Sequence, residues 1–184
     1  MKKIIQLMVL VALYATPGLC ESKSLIEDLG NRAITTLTNS SESSDTIESN
    51  FLKLFDEGFD VRNIANFVMG RYWKQATPDQ QERFIKIFRT RVKKAYASRF
   101  REYKGVKFVI GKVHNRHGSD YVESTIQKPN GPLTNVEWRV KNDKIQDVKV
   151  EGVSMSVTMR DDYNSLLGQK NGDIEAFLKD LESR

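Results

Sequence analysis

His114 and His117 are the two histidines of the chain, spaced as His-x-x-His, an arrangement in which two imidazoles can share a divalent metal. They fall in a segment of turn composition running from His114 to Asp120. No third or fourth ligand stands near them at a recognisable spacing, so no metal is expected. Asp147 and Glu151 stand four apart in one alternating run and could serve as an acid and base pair; the same alternation directs both outward into water. Cys20 is the lone cysteine, and the chain has no Gly-x-Ser-x-Gly and no phosphate-binding glycine loop. Nucleophilic and nucleotide chemistry therefore lack their usual parts. The residues capable of chemistry do not assemble a catalytic set, and neither an enzyme nor a cofactor is the expectation.

The elements around these residues are easier to read. Leu25, Leu29, Ala33 and Leu37 repeat at helical spacing, followed by a polar linker, Asn39 to Asp45, that ends in a capping candidate. A second helix carries Ile47, Phe51, Leu54 and Phe55. Asp60 caps a third, with Val61, Ile64, Ala65 and Val68 inward and Gly70 as its stop. Thr77-Pro78-Asp79-Gln80 is a strong helix start. From there Phe84, Phe88, Val92, Ala95, Tyr96, Phe100 and Tyr103 repeat every three or four residues to Gly105, predicting one helix of about 26 residues, roughly 39 Å long. Its other side carries Arg83, Lys86, Arg89, Lys93, Lys94 and Arg101, either a solvated stripe or a surface for an anionic partner.

After Gly105 the period changes to two. Val106, Phe108 and Ile110; Val122, Ser124 and Ile126; Val136, Trp138 and Val140; and Val148 and Val150 each alternate with polar neighbours, predicting four strands with one dry face apiece. The connections have turn composition, so an antiparallel meander is the natural pairing. Gly152 breaks the last strand, Ser154 can cap a helix through Tyr163 and Leu167, and a final helix carries Ile174, Phe177, Leu178 and Leu181. The expected class is α+β, a twisted four-stranded antiparallel sheet with helices packed on one face. Phe59, Phe67, Met69, Tyr72, Trp73, Phe84, Phe88, Tyr96, Phe100, Phe108 and Trp138 fall on or near faces that should meet. Periodicity reads them as core and does not reveal a hole.

The chain opens with Lys2 and Lys3, an apolar run from Ile4 to Ala15, and Pro17-Gly18. A charged segment, a short apolar stretch of about 12 residues and a cleavage zone make a signal peptide, too short for the roughly 20 residues of a bilayer span. Cleavage before Glu21 would leave a single domain over 21–184: helical in 21–104, sheet in 105–152 and helical again in 153–184. Lipidation at Cys20 is the alternative, although a lipidated cysteine normally follows a small residue and here follows Leu19. Without residues 1–20 the basic count falls from 29 to 27 against 24 acidic residues, a net charge of +3. Export and so mild an excess make nucleic acid an unexpected partner.

Phe59-Asp60-Val61-x-x-Ile64-Ala65-x-x-Val68-Met69-Gly70-x-x-Trp73, followed by Ala76-Thr77-x-x-Gln80-x-x-x-Phe84-x-x-x-Phe88, resembles the MlaC family. The match continues in Tyr96-Ala97-x-x-Phe100-x-x-Tyr103-x-Gly105, Val136-x-Trp138, Asp147-Val148-x-Val150-Glu151-Gly152-Val153-Ser154 and Arg160-x-x-Tyr163. The resemblance implies a periplasmic carrier that moves phospholipid between an outer-membrane lipoprotein complex and an inner-membrane ABC transporter with its MCE-type component. Transient membrane contact, maintenance of outer-membrane lipid asymmetry and no cofactor beyond the lipid cargo go with it. It also implies helices and sheet enclosing an acyl-chain pocket, in part like the cone of nuclear transport factors. Gln146, where the family usually has an aromatic, and Met155, where Leu is more usual, depart from the pattern near that pocket and bear on chain-length or head-group preference.

The apolar slot would draw on Val68, Tyr72, Trp73, Phe84, Phe88, Val92 and Tyr96 from the helices and on Phe108, Ile110, Val122, Trp138, Val148 and Val150 from the sheet. These follow from inward-facing position, not from a family motif. Two rival readings remain: an enzyme using a Tyr and an Asp in the same kind of cavity, and an adaptor domain with a filled core.

Overall fold

The computed structural model describes residues 17–39 and 41–183. Most of the expected signal segment, residues 1–16, lies outside the described residues, as do the side chains of Phe100 and Arg101. Helix α1 spans Pro17–Leu37, α2 Ser44–Gly58 and α3 Val61–Met69. Pro17, placed in the cleavage zone by its sequence, opens α1, a first-turn position where its missing N–H costs nothing. The cap of α2 is Ser43, whose hydroxyl accepts from Thr46 N at 3.1 Å, in place of the expected Asp45, which becomes a first-turn residue. Asp60 caps α3 by accepting from Asn63 N at 3.1 Å.

A 3₁₀ segment, Gly70–Lys74, leads to α4, Pro78–Tyr96. Thr77 and Gln80 form the reciprocal capping box that opens α4. The expected 26-residue helix stops at Tyr96, and Ala97–Tyr103 winds as 3₁₀. The spacings of four and three among Tyr96, Phe100 and Tyr103 fit either winding, so periodicity carried the α-helix too far.

Strands β1 (Lys107–Arg116), β2 (Ser119–Gln127), β3 (Leu133–Lys141), β4 (Lys144–Val150) and β5 (Val153–Ser154) form one antiparallel meander in sequential order. The fifth strand was not expected. Glu151 and Gly152 both have positive φ, 49° and 81°, so the break at Gly152 is a two-residue turn that returns the chain to pair Val153 with Val150. Helices α5 (Met155–Gln169) and α6 (Ile174–Ser183) complete the chain.

The helices cover one face of the sheet and bury two separate apolar clusters. In the first, α2 to α6 enclose Phe51, Phe55, Met69, Phe84, Phe88, Leu167 and Phe177. In the second, Ile26 and Leu29 of α1 press on Val122, Val140 and Ile145, flanked by Phe108, Trp138 and Val148. Phe67, expected in the core, lies on the surface, 36% exposed, with the Arg160 guanidinium 4.8 Å above its ring.

Helix α1 is seated closely on both neighbours. A Cβ at Gly30 would meet the Phe108 ring at 2.2 Å, and one at Gly58 would meet Leu29 at 2.4 Å. At its start, the buried Ser22 donates to Asp120 Oδ2 at 2.8 Å, beside the β1–β2 turn. From there α1 runs toward the opposite end of the sheet, where Gly30 meets Phe108. Among the described residues no helix is long and apolar enough to cross a membrane.

Candidate functional site

Between the two clusters lies an apolar cavity of about 330 Å³. Its walls come from α1 (Ile26, Leu29, Gly30, Ala33, Leu37), from α2 and the residue after it (Phe51, Leu54, Phe55, Phe59) and from α3 and α4 (Ile64, Phe88, Val92, Tyr96). The sheet supplies Ile126, Val136, Trp138, Ile145, Val148 and Val150, and Met155 and Met159 of α5 close the far side. Members of both clusters therefore face one another across a gap instead of interlocking.

The sequence-derived slot residues divide between gap and core. Phe88, Val92, Tyr96, Trp138, Val148 and Val150 line the cavity. Val68, Tyr72, Trp73 and Phe84 pack in the helical cluster, and Phe108, Ile110 and Val122 pack between sheet and α1. Sequence reasoning missed the α1 wall. Its signal was the run of small or apolar residues Gly30, Ala33 and Leu37 on the inward face of the first helix.

Half-buried lining residues occur on several walls, Phe59 beside Ile145 among them, and four gather at one end of the sheet, where we place the opening. Tyr103 ends the 3₁₀ segment, Ile126 precedes the β2–β3 turn, Val150 precedes the β4–β5 turn, and Met155 begins α5. Tyr96 lines the cavity, Tyr163 packs against Phe84 and Phe177 in the helical cluster, and burial pushes both phenols above their ordinary range.

Three polar side chains of the wall, Trp138, Gln146 and Asp147, are held by neighbours. Trp138 donates its indole N–H to Ser124 Oγ at 2.8 Å. Gln146, one of the family departures, is buried on the cavity wall; it donates to Asp60 Oδ2 at 3.2 Å and accepts from Asn63 Nδ2, tying β4 to the start of α3. Met155, the other departure, also lines the cavity.

Asp147 was expected to point into water. It is instead 8% exposed and lies on the wall. Strand β4 runs near the sheet edge, where β5 and the start of α5 fold over it. The Asp147 carboxylate accepts from Ser154 Oγ at 2.6 Å and from Ser156 N at 3.0 Å, an anion satisfying the first turn of a helix. Glu151 sits apart in the exposed β4–β5 turn, accepting from Asn135 N. The two carboxylates do not form a pair.

His114 stacks on Tyr121, ring centroids 5.5 Å apart, on the sheet face away from the helices, and His117 occupies the β1–β2 turn with φ 51°. Among the described residues no cluster of three or more His, Cys, Asp or Glu side chains could hold a metal. The basic stripe on α4 is largely engaged. Arg83 holds Glu175 at 2.9 Å and Glu182 at 3.1 Å, Arg89 pairs with Asp56, and Lys93 reaches Glu48 at 2.8 Å. The stripe stitches α4 to α2 and α6, and Arg83 holds the Glu175 carboxyl below the usual carboxylate range.

A solved phospholipid-binding protein from Ralstonia solanacearum, in complex with a phospholipid, shares this fold. The TM-score is 0.77 over 88% of this chain and 95% of that one, at 18% identity. The family described as MlaC protein matches residues 27–183, and the chain belongs to the MlaC family.

Proposed function

We propose that the protein is a phospholipid carrier, binding acyl chain in the seam between its two apolar clusters and working by binding and release, without catalysis. The observation that carries the reading is the cavity of about 330 Å³, walled by five helices, the 3₁₀ segment and three strands almost wholly in hydrocarbon and aromatic side chains. An unfilled space of that size would otherwise be a large loss of packing. The fold it shares with a protein holding a phospholipid supports the same reading.

The chemistry is replacement of one hydrocarbon environment by another. Exposing acyl chains to water costs about 0.8 kcal/mol per methylene, on the order of 20 kcal/mol for a diacyl lipid, so unassisted escape from a bilayer is slow. A dry slot lowers that barrier even where the net gain is small. An apolar cavity of about 150 Å³ takes one benzene, roughly six carbons, so this one holds about 13. One chain is accommodated as the walls stand, and a second requires them to part or stays at the opening.

Within the family framework the carrier acts in the periplasm. It is exported by a signal peptide removed near Cys20, and passes lipid between an outer-membrane lipoprotein complex and an inner-membrane ABC transporter with an MCE-type component, to maintain outer-membrane lipid asymmetry. Cleavage before Glu21 would trim α1 yet leave the Ser22–Asp120 bond in place.

The test is gentle purification followed by native mass spectrometry. The protein should carry lipid, and delipidated protein should reload from vesicles; a lipid-free protein that cannot be loaded overturns the proposal. The enzyme reading is disfavoured by the engagement of both Asp147 oxygens at the start of α5, which makes that carboxylate a cap in place of a free base.

A further inference from the structure

Five large apolar side chains are strongly exposed among the described residues, and four of them surround the end of the molecule where the cavity opens. Leu133 is 55% exposed at the first position of β3, Val153 58% on β5, Val109 58% near the start of β1, and Val157 45% on the first turn of α5. Their placement follows from the register. Val153 pairs with the lining residue Val150, and Leu133 pairs with Gln127, the neighbour of the lining residue Ile126. The opposite end of the sheet, with the β1–β2 and β3–β4 turns, has none.

Charge at the same end is one-sided. Segments 97–110, 126–136 and 150–157 contain five basic residues, Arg99, Arg101, Lys104, Lys107 and Lys128, against Glu102 and Glu151. Lys128 is held over the Tyr103 ring at 4.3 Å and pairs with the Glu102 carboxylate at 3.2 Å, so the excess of positive charge at this end comes from Arg99, Arg101, Lys104 and Lys107 against Glu151. Apolar tips interleaved with cations are the composition that sinks shallowly into the head-group layer of an anionic bilayer.

We infer that this rim is a membrane-docking surface: Leu133, Val153, Val109 and Val157 enter the head-group region of a bilayer rich in anionic phospholipid while the neighbouring cations meet its phosphates. The cavity opening then lies against the leaflet, and an acyl chain moves between bilayer and protein without crossing bulk water. The inference rests on the carrier reading and adds where, and on what surface, loading takes place.

Co-sedimentation of the purified protein with vesicles of phosphatidylcholine, with and without phosphatidylglycerol, tests it. Wild type should bind the anionic vesicles more strongly. Leu133→Asn with Val153→Thr, which removes apolar surface without changing charge, should weaken binding at least about tenfold. Lys107→Gln with Arg99→Gln should weaken it on anionic vesicles by about tenfold and leave neutral vesicles little affected. Thermal unfolding checks that each variant folds, and the two pairs act on different forces.

Loading from detergent-dispersed phospholipid separates this idea from the carrier proposal. Rim variants should load normally from detergent and slowly from vesicles. If wild type loads from detergent but ignores protein-free vesicles, as it would if the rim served a protein partner, or if the rim variants dock like wild type, the inference is overturned and the carrier reading stands. If wild type takes lipid from neither source, the carrier reading falls and this inference with it.

Discussion

The indole N–H of Trp138 donates to the hydroxyl of Ser124 at 2.8 Å across strands β2 and β3, and this explains a polar residue on the dry face of the sheet. Ser124 is buried between Val122 and Ile126 in the inward row. Its oxygen lets a large aromatic face an apolar cavity without stranding a donor. Ser124→Ala should destabilise the fold by about 1–3 kcal/mol, the cost of an unsatisfied buried group. Ser124→Thr should recover most of the loss, measured by urea unfolding with tryptophan fluorescence.

The close seat of α1 makes a second prediction. Gly30→Ala places a methyl where the Phe108 ring already lies, so α1 must shift or the ring must turn, at about 1–3 kcal/mol. Combining Gly30→Ala with Phe108→Leu should restore part of the stability in thermal unfolding. Equal melting temperatures for Gly30→Ala and wild type would show that α1 is not closely seated there.

Filling the cavity should separate binding from folding. Val148→Phe with Val150→Phe adds two rings to a space of about 330 Å³. Lipid recovered per protein should fall severalfold while thermal stability holds or rises, because the rings gain contacts the valines lack. Phe84→Leu, in the helical cluster away from the cavity, should do the reverse: lipid retained, stability reduced by about 1–3 kcal/mol. Native mass spectrometry and calorimetry read the two effects independently.

The pH dependence should have two distinct limbs. Hydrogen bonds from Arg83 and Arg32 hold Glu175 and Glu57 below the ordinary carboxylate value. The unfolded chain therefore takes up protons first, and this contribution is complete above about pH 4.5 and lost as the pH falls below it. Both glutamates are solvent-accessible, so added salt should shrink this limb. Burial raises the Tyr163 phenol, so the unfolded state loses its proton first, and stability falls as the pH rises past about 10. Burial raises the Tyr96 phenol in the same direction, so Tyr163→Phe should make the alkaline limb shallower, Tyr163→Phe with Tyr96→Phe should flatten it, and both should leave the acid limb unchanged.

The sequence was most legible where one local force decides the outcome. Thr77-Pro78-Asp79-Gln80 predicts its capping box because every participant lies within four residues, and the alternating runs give the first four strands. The fifth strand escaped because two residues cannot establish a period. The end of α4 escaped because 3₁₀ and α-helix share the spacings at Tyr96 and Tyr103. Asp147 was misjudged because alternation describes a strand facing water and is blind to a later helix folding over the sheet edge. The cavity was the least legible feature. Apolar residues at helical or strand spacing read the same whether the clusters they build meet or stop short, and only tertiary placement puts Val92 at a gap and Phe84 in packed core.

The bond between Ser22 and Asp120 fixes more than the seat of α1. Strand β1 spans ten residues, so its ends lie about 30 Å apart at roughly 3.3 Å per residue, with Ser22 beside one and the cavity opening beside the other. Whatever is attached ahead of residue 22, whether an acyl tether on Cys20, an affinity tag or a solid support, leaves from the pole opposite the opening. A molecule held by its first residues thus presents its opening outward, toward whatever lies across the gap from its point of attachment.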